Sequence, residues 1–163
     1  MQANILWKGI EYNSLENCLL TADDSGNWIE SNIIGSYQRD IYHVEYRIHT
    51  NTFWETIYCE LKTQVNGVKQ QHRFENVEVD LPLTPFTNTL PIRRLKMKIG
   101  QAREIVVLYL DVLTNEFRPV RQKYERLSDF QYKYENIPND FEAVITVDKD
   151  GFVVDYPGLF LRT

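Results

Sequence analysis

The sequence contains few of the residues and motifs on which most enzyme chemistry depends. It has two cysteines, Cys18 and Cys59, and three histidines, and their spacing matches no zinc-binding pattern. It has no glycine-rich phosphate loop, no G-x-S-x-G nucleophile elbow and no H-E-x-x-H helix. We therefore assign no catalytic residue, no metal ligand and no cofactor, and we expect a binding protein rather than an enzyme.

The sequence also lacks a basic excess and a long apolar run. Lys and Arg number 18 against 23 Asp and Glu, a net charge of −5, whereas nucleic-acid binding needs clustered Lys and Arg. No segment is long and apolar enough to span a membrane, and the N-terminus has no signal-peptide pattern. We expect a soluble, cytoplasmic protein with no nucleic-acid partner and no transmembrane segment, in which both cysteines are buried free thiols.

Aromatic residues, by contrast, are abundant. Ten Tyr, eight Phe and three Trp make up 13% of the chain, and aromatic side chains are enriched in strands and in binding surfaces. A chain of 163 residues has the size of one domain and buries enough surface to form a core without disulfides. We predict a single domain over residues 1–163.

Alternation of apolar and polar residues with period two runs through most of the chain. In residues 40–49, the side chains of Tyr42, Val44, Tyr46 and Ile48 fall on one face of a predicted strand. Other strands are predicted over 15–21, 28–34, 54–61, 103–112, 141–147 and 152–156. Asn66-Gly67 is typical of a type I′ hairpin turn. The pattern predicts a mainly β, mostly antiparallel sheet.

Residues 84–95, TPFTNTLPIRRL, interrupt this alternation. Their two prolines exclude a central strand. Thr followed by Pro is typical of a helix start, and Thr89-Leu90-Pro91 approximates that pattern. We predict one short helix, from about Thr89 to Lys96, in an otherwise all-strand fold.

The same segment carries a resemblance to a known family. Asp80-Leu81, Thr84-Pro85 and TNTLPIRRL at 87–95 are followed by Q-x-Y-x-R-L at 122–127, Y-x-Y at 132–134 and VDKDGFVVDYPGL at 147–159. These motifs resemble those of the putative glycolipid-binding family, formerly a domain of unknown function. Leu6-Trp7 and the Tyr46…Trp54 spacing are weaker matches. The resemblance covers essentially the whole chain.

The resemblance implies a spiral β-roll, in which a many-stranded, mostly antiparallel sheet is rolled around the single α-helix, and it implies a homodimer. It also implies non-catalytic binding of a glycolipid or a similar amphiphilic small molecule. This sequence departs from the family between Leu61 and Asp80, where it is short and lacks a Trp-containing hairpin. A ligand wall supplied by that hairpin is therefore not expected.

Arg93 and Arg94 are candidates for the polar head of such a ligand. Adjacent residues on a helix point about 100° apart, so at most one of them faces inward. An inward arginine needs a carboxylate partner such as Asp80, Glu104 or Asp111, whereas an exposed one is free to bind a phosphate or a sugar carboxylate. Both roles stay open for each arginine.

Four further residues complete the predicted binding site. Gln122, Tyr124 and Arg126 alternate along one strand face, which we predict to point inward and to meet sugar hydroxyls. Asn88 lies in a Thr-rich stretch whose side chains either contact the ligand or cap the helix.

Two other functions stay open at the level of sequence. A hydrolase of a sugar or acyl linkage would use carboxylates in the same cavity, for instance Asp80 with Glu104. A structural or interaction protein would have its roll filled by the helix to native packing density. The contents of the cavity distinguish these alternatives, because a binding protein needs open space with a few convergent polar groups.

Overall fold

Strands with alternating burial account for most of the molecule, and the computed structural model describes residues 1–163. Buried and exposed residues alternate along β4, as the sequence predicts, and Tyr42, Val44, Tyr46 and Ile48 all face the core. The strands are β1 (Gln2–Gly9), β2 (Ser14–Asp23), β3 (Gly26–Tyr37), β4 (Asp40–Thr50), β5 (Thr56–Val65), β6 (Val68–Glu75), β7 (Val79–Asp80), β8 (Ala102–Asp111), β9 (Glu116–Arg126), β10 (Gln131–Ile137), β11 (Glu142–Val147), β12 (Val153–Tyr156) and β13 (Phe160–Arg162).

All thirteen strands belong to one sheet, in the order β6-β5-β4-β3-β2-β1-β13-β12-β11-β10-β9-β8-β7. Every neighbouring pair is antiparallel except β7 and β8, which are parallel. The first and last strands lie side by side, with Trp7 opposite Arg162. The two edges, β6 and β7, are not paired with each other, so the sheet is not closed. The predicted mainly β, mostly antiparallel architecture is confirmed.

One helix, α1 (Phe86–Leu95), lies between β7 and β8 in sequence and inside the curled sheet in space. Its first seven residues, 86–92, are all buried. Phe86 and Leu90 are fully buried in the larger core cluster, beside residues of β1 to β5. The prediction of a sheet rolled around a single helix is confirmed. At ten residues, α1 is too short and too polar to cross a lipid bilayer.

The helix begins three residues earlier than predicted. Thr84-Pro85, rather than Thr89-Leu90-Pro91, precedes the first turn, and the Phe86 backbone N–H donates to the Thr84 hydroxyl over 3.0 Å. Pro91 is accommodated inside the helix, which ends where Lys96 takes a left-handed conformation. The earlier Thr-Pro pair starts the helix, and Phe86, the first helical residue, is fully buried in the core, which stabilises this longer helix.

Two local predictions have different outcomes. Asn66 and Gly67 form the hairpin turn between β5 and β6 with φ angles of 49° and 83°, as the type I′ prediction requires. Trp54, predicted as the first residue of a strand, instead has φ 68° and lies in the loop before β5. It is nevertheless buried, because its ring packs in the core. Cys18 and Cys59 are buried free thiols, as expected.

Candidate functional site

The inner face of β9 and β10 extends between two cavities, one at each end of the roll. Gln122 and Tyr124 are 2% and 1% exposed and Arg126 is half-buried, so the predicted inward orientation of this stripe is confirmed. Across the strand pair, Tyr132, Tyr134 and Asn136 lie opposite Arg126, Tyr124 and Gln122, respectively. Residues 122 and 126 are about 13 Å apart along the strand. The polar residues of this face are thereby divided between two ends.

The first cavity lies beside the N-terminal half of α1 and has a volume of about 260 Å³. We call it the tyrosine pocket, and we define it by six of its lining residues: Tyr12, Tyr109, Tyr134, Tyr156, Asp80 and Asn88. Its walls come from the β1–β2 loop, from α1 and from strands on one half of the sheet. The interior of the roll is therefore not completely filled by the helix.

Three of the four tyrosine hydroxyls have no partner inside the protein. The Tyr134 hydroxyl donates to the Asn136 side-chain oxygen, whereas those of Tyr12, Tyr109 and Tyr156 make no hydrogen bond within the chain. Burial raises the pKa of Tyr109 to about 12. Burial, followed by the charges of neighbouring tyrosines and Asp80, also holds the pKa of Tyr156 far above its usual value. The phenols are consequently neutral and are available as donors and acceptors.

Asp80 provides a carboxylate held from two sides. Its Oδ1 accepts a hydrogen bond from the Thr87 hydroxyl at 3.0 Å, and its Oδ2 accepts one from the Gln122 amide at 2.6 Å. Burial raises the pKa of Asp80, and these two hydrogen bonds oppose that rise. Each carboxylate oxygen retains a lone pair for a further donor. Gln122 thus acts on the pocket by positioning Asp80.

Asn88 lines the same pocket, and Tyr124 supports it from behind. The Asn88 side-chain amide donates to the Tyr124 hydroxyl over 2.8 Å. Tyr124 is 1% exposed and lies outside the lining. The lining carries the carboxylates of Glu11 and Asp80 but no lysine or arginine. The pocket is therefore aromatic, polar and acidic.

Arg93 and Arg126 line a second cavity, of about 380 Å³, at the other end of the roll. We call it the basic groove and define it by Arg93, Lys96, Arg126, Lys149, Trp54 and Tyr132. The six residues singled out in the sequence are therefore not brought to one place. Asn88, Gln122 and Tyr124 belong to the tyrosine pocket or its support, and Arg93 and Arg126 belong to the basic groove.

Arg94 lines neither cavity. Its guanidinium forms an ion pair with Glu78 at 2.5 Å, and the two side chains are 15% and 24% exposed. Glu78 also accepts hydrogen bonds from the backbone N–H and the hydroxyl of Thr56. The partner is none of the three carboxylates considered from sequence. Glu78 lies next to α1 only because the chain reverses direction after β7, which residue spacing does not reveal.

We expect Arg94→Met to lower the free energy of unfolding by about 2 kcal/mol, because it leaves the half-buried Glu78 carboxylate without its cation. The matched control is Arg121→Met, which removes an arginine from an exposed pair with Glu104 and should cost less than about 1 kcal/mol. Urea unfolding of both variants measures the difference. Equal losses would contradict a structural role for the Arg94–Glu78 pair.

The carboxylates considered for hydrolysis do not meet. Asp80 lies in the tyrosine pocket, whereas Glu104 is half-exposed and accepts a hydrogen bond from Arg121 at 2.7 Å. No group of three or more His, Cys, Asp and Glu side chains is arranged to hold a metal ion. The residues that sequence reasoning missed are the pocket tyrosines. Their only signals were the aromatic excess and the presence of Tyr134 and Tyr156 within the family-like motifs.

Comparisons with known proteins agree with this architecture. A family model described as "Putative glycolipid-binding" matches residues 62–162. A crystal structure of a DUF1089 family protein from Pseudomonas aeruginosa is similar, with 30% sequence identity, a TM-score of 0.79 and coverage of 92% of each chain. No curated protein matches the chain.

Proposed function

Because this chain belongs to the "Putative glycolipid-binding" family, we propose that it binds the sugar headgroup of a glycolipid or a similar amphiphilic small molecule, without catalysis. The headgroup occupies the tyrosine pocket. One observation carries the proposal: the hydroxyls of Tyr12, Tyr109 and Tyr156 line one cavity and have no hydrogen-bond partner in the protein. These hydroxyls are open to water in the cavity, and a ligand that supplies matching donors and acceptors replaces that water.

The chemistry of the pocket suits a sugar. Sugar hydroxyls both donate and accept hydrogen bonds, as neutral phenols do, and the Asp80 carboxylate accepts from two of them at once. The tyrosine rings provide faces on which the apolar side of a sugar ring stacks. A few polar groups on an aromatic wall are typical of small-molecule sites.

The size of the pocket limits what enters it. At about 260 Å³, it lies below the range of about 300–1,000 Å³ that is usual for pockets that enclose a whole drug-sized ligand. A headgroup of about one sugar ring fits, and an acyl chain does not. The apolar part of the ligand then lies against Phe141, Leu159 and Phe160, of which Phe141 and Leu159 are partly exposed at the rim.

The proposal assigns a role to each predicted site residue. Asn88 contacts the ligand directly, and Gln122 and Tyr124 position Asp80 and Asn88. Arg94 maintains the fold through Glu78. Arg93 and Arg126 line the basic groove and lie outside this site.

Calorimetric titration and thermal shift with glucose, other hexoses and their octyl glycosides test the proposal. We expect binding, and we expect the octyl glycoside to bind more tightly than the free sugar, since each buried CH₂ contributes about 0.8 kcal/mol. A ligand at 100 times its dissociation constant adds about 2.7 kcal/mol to the free energy of unfolding. The absence of a shift across the whole panel would overturn sugar binding. Hydrolysis of the glycosides would overturn the non-catalytic part.

Glucuronate is the matched control for glucose in this experiment. Its carboxylate replaces the C6 hydroxymethyl group of the same ring, and the pocket already holds Glu11 and Asp80 without a cation. Like charges brought together in a partly dry cavity cost several kcal/mol. We expect binding of glucuronate to be at least about tenfold weaker than that of glucose. Equal affinity would place the sugar outside the tyrosine pocket.

The proposal also includes a homodimer and a cytoplasmic location. Leu15 and Ile34 are neighbours on the outer face of β2 and β3, and Ile34 and Ile41 are 65% and 69% exposed. Exposed apolar patches of this kind support a contact between copies, which sedimentation velocity measures directly. The free thiols of Cys18 and Cys59 support a reducing compartment.

A further inference from the structure

The basic groove concentrates positive charge in an otherwise acidic chain. Arg93, Lys96, Arg126 and Lys149 line it, against Asp129 and Asp148, whereas the whole chain carries −5. Both acids already have cationic partners. Asp148 pairs with Arg162 at 2.5 Å, and Asp129 pairs with Arg126 at 3.2 Å. The groove therefore has an unmatched positive charge.

Of the two lining cations without an acidic partner, Lys96 is exposed, and the more informative one is Arg93. It is half-buried, yet its guanidinium makes no hydrogen bond and no ion pair within the chain. Its immediate neighbour Arg94 has the Glu78 carboxylate. An arginine presents five N–H donors in a planar fork. In Arg93, all of these donors are free.

The free guanidinium is nevertheless held in place from two sides. It lies 5.0 Å from the centroid of the Trp54 ring. Its alkyl stem packs on Gly151, where a Cβ would approach the Arg93 Cδ to 2.9 Å. The carbonyl oxygen of Gly151 is fixed by the Thr89 hydroxyl at 3.0 Å. The aromatic ring and the carbonyl groups at the end of α1 stabilise the positive charge of Arg93. Neither is a group with two acceptor oxygens, such as a carboxylate or a phosphate, which a guanidinium binds with two parallel hydrogen bonds.

Arg126 is oriented towards the same groove. Its guanidinium donates to the carbonyl oxygens of Met97 and Ser128 at 2.9 and 3.1 Å, which fixes the plane of the fork. Lys149, on the β11–β12 turn, is 82% exposed at the mouth, where it pairs with Asp150 at 2.9 Å. Two guanidinium groups and an exposed ammonium on one concave surface match the charge and geometry of a phosphate.

We propose that the basic groove is a second binding site, which binds a phosphoryl group through the Arg93 guanidinium with support from Arg126 and Lys149. The phosphoryl group belongs either to a free phosphate or to a lipid headgroup. The site shares no lining residue with the tyrosine pocket, so phosphate binding here does not depend on sugar binding there.

Titration of the full-length protein with inorganic phosphate at low ionic strength tests the site. Arg93→Gln should weaken phosphate binding about tenfold, since a charged hydrogen bond to phosphate is lost. Lys149→Gln should weaken it about two- to threefold, and this exposed position leaves the fold intact even if Arg93→Gln does not. The matched control is Arg73→Gln, which removes an arginine that lies over Tyr58 at 4.3 Å but is already paired with Glu75. It should bind phosphate as the wild type does.

A parallel titration with dihexanoyl phosphatidic acid distinguishes the two sources. Tighter binding of the lipid than of phosphate assigns the site to a lipid headgroup, and equal binding assigns it to free phosphate. An unchanged affinity in both Arg93→Gln and Lys149→Gln overturns the site. An equal loss of affinity in Arg73→Gln also overturns the site, because binding would then follow net charge alone. The site is likewise overturned if the wild type binds no phosphate at millimolar concentration.

Discussion

Raising the pH from 5 to 8 is expected to lower the free energy of unfolding by about 2–3 kcal/mol through one residue, Glu16, and Glu16→Gln is expected to remove that loss. Glu16 is 2% exposed in the core. Its Oε1 accepts hydrogen bonds from the hydroxyls of Tyr46, Ser31 and Thr84 at 2.7, 2.7 and 2.9 Å. Its Oε2 has no partner. Burial, the largest influence, raises the pKa of Glu16 from 4.5 to about 7.

The sign of the effect follows from that rise. Between pH 4.5 and 7 the native state holds a proton that the unfolded state has already released. The stability contributed by this proton is therefore present at acid pH and is lost as the pH rises through about 7. Each pKa unit corresponds to about 1.4 kcal/mol, which sets the size of the effect. For a chain of this length, the melting temperature falls by about 2–4 °C per kcal/mol.

Urea unfolding at pH 5, 6, 7 and 8 measures this effect in the wild type and in Glu16→Gln. The glutamine keeps an oxygen that accepts the three hydroxyls and carries no charge. Asp80 also has a raised pKa, but it is present in both proteins, so the difference between the two profiles isolates Glu16. Glu30→Gln, at an exposed position on β3, should reproduce the wild-type profile. Parallel profiles for wild type and Glu16→Gln would show that this carboxyl group is not buried as described.

Replacing Tyr12, Tyr109 and Tyr156 together by phenylalanine should weaken sugar binding about 100-fold. Each substitution removes a neutral hydrogen bond to the ligand, worth about 1 kcal/mol, and three such losses correspond to about two orders of magnitude in the dissociation constant. Because none of these hydroxyls bonds to the protein, the free energy of unfolding should stay within about 1 kcal/mol of the wild type. Calorimetry with the tightest octyl glycoside measures the binding.

Tyr42→Phe is the matched control, with the opposite expectation. The Tyr42 hydroxyl donates to the backbone oxygen of Tyr12 at 2.9 Å, so its removal should lower the free energy of unfolding by about 1 kcal/mol and leave sugar affinity nearly unchanged. A triple variant that binds sugar as well as the wild type would move the ligand out of the tyrosine pocket. Phosphate binding by the triple variant should be unaffected, which separates the two sites.

Predictions from the sequence succeeded where a structure depends on near neighbours along the chain. The face of β4 that carries Tyr42 and Tyr46 follows from alternation alone, since successive side chains on a strand point to opposite faces. The Asn66-Gly67 turn follows from the conformations that these two residues tolerate. The helix was found by its prolines, but its start was misplaced because Thr84-Pro85 and Thr89-Leu90-Pro91 are similar signals, and tertiary burial of Phe86 decides between them.

The candidate site was harder to predict because its parts come from distant segments. Tyr12, Tyr109 and Tyr156 belong to a loop and two strands that share no motif, and they line one cavity only after the sheet has curled. The Arg94–Glu78 pair likewise depends on how α1 returns beneath β7. The motif residues Asn88, Gln122 and Tyr124 were recognisable, but their division between contacting and positioning roles was not.

The sequence by itself determined the alternating pattern of many of the strands, the single helix, the hairpin turn and the inward face of β9, because backbone preferences and the two-residue period act over a few residues. Only the tertiary structure decided that five of the six predicted residues separate between an acidic aromatic pocket and a basic groove, and that Arg94 lines neither. The physical reason is the curl of the sheet: it brings the β1–β2 loop, β8 and β12 together at one end of α1, and the β11–β12 turn and Trp54 together at the other. The contacts between these distant segments depend on packing across the whole sheet, and residue spacing along the chain carries no information about them.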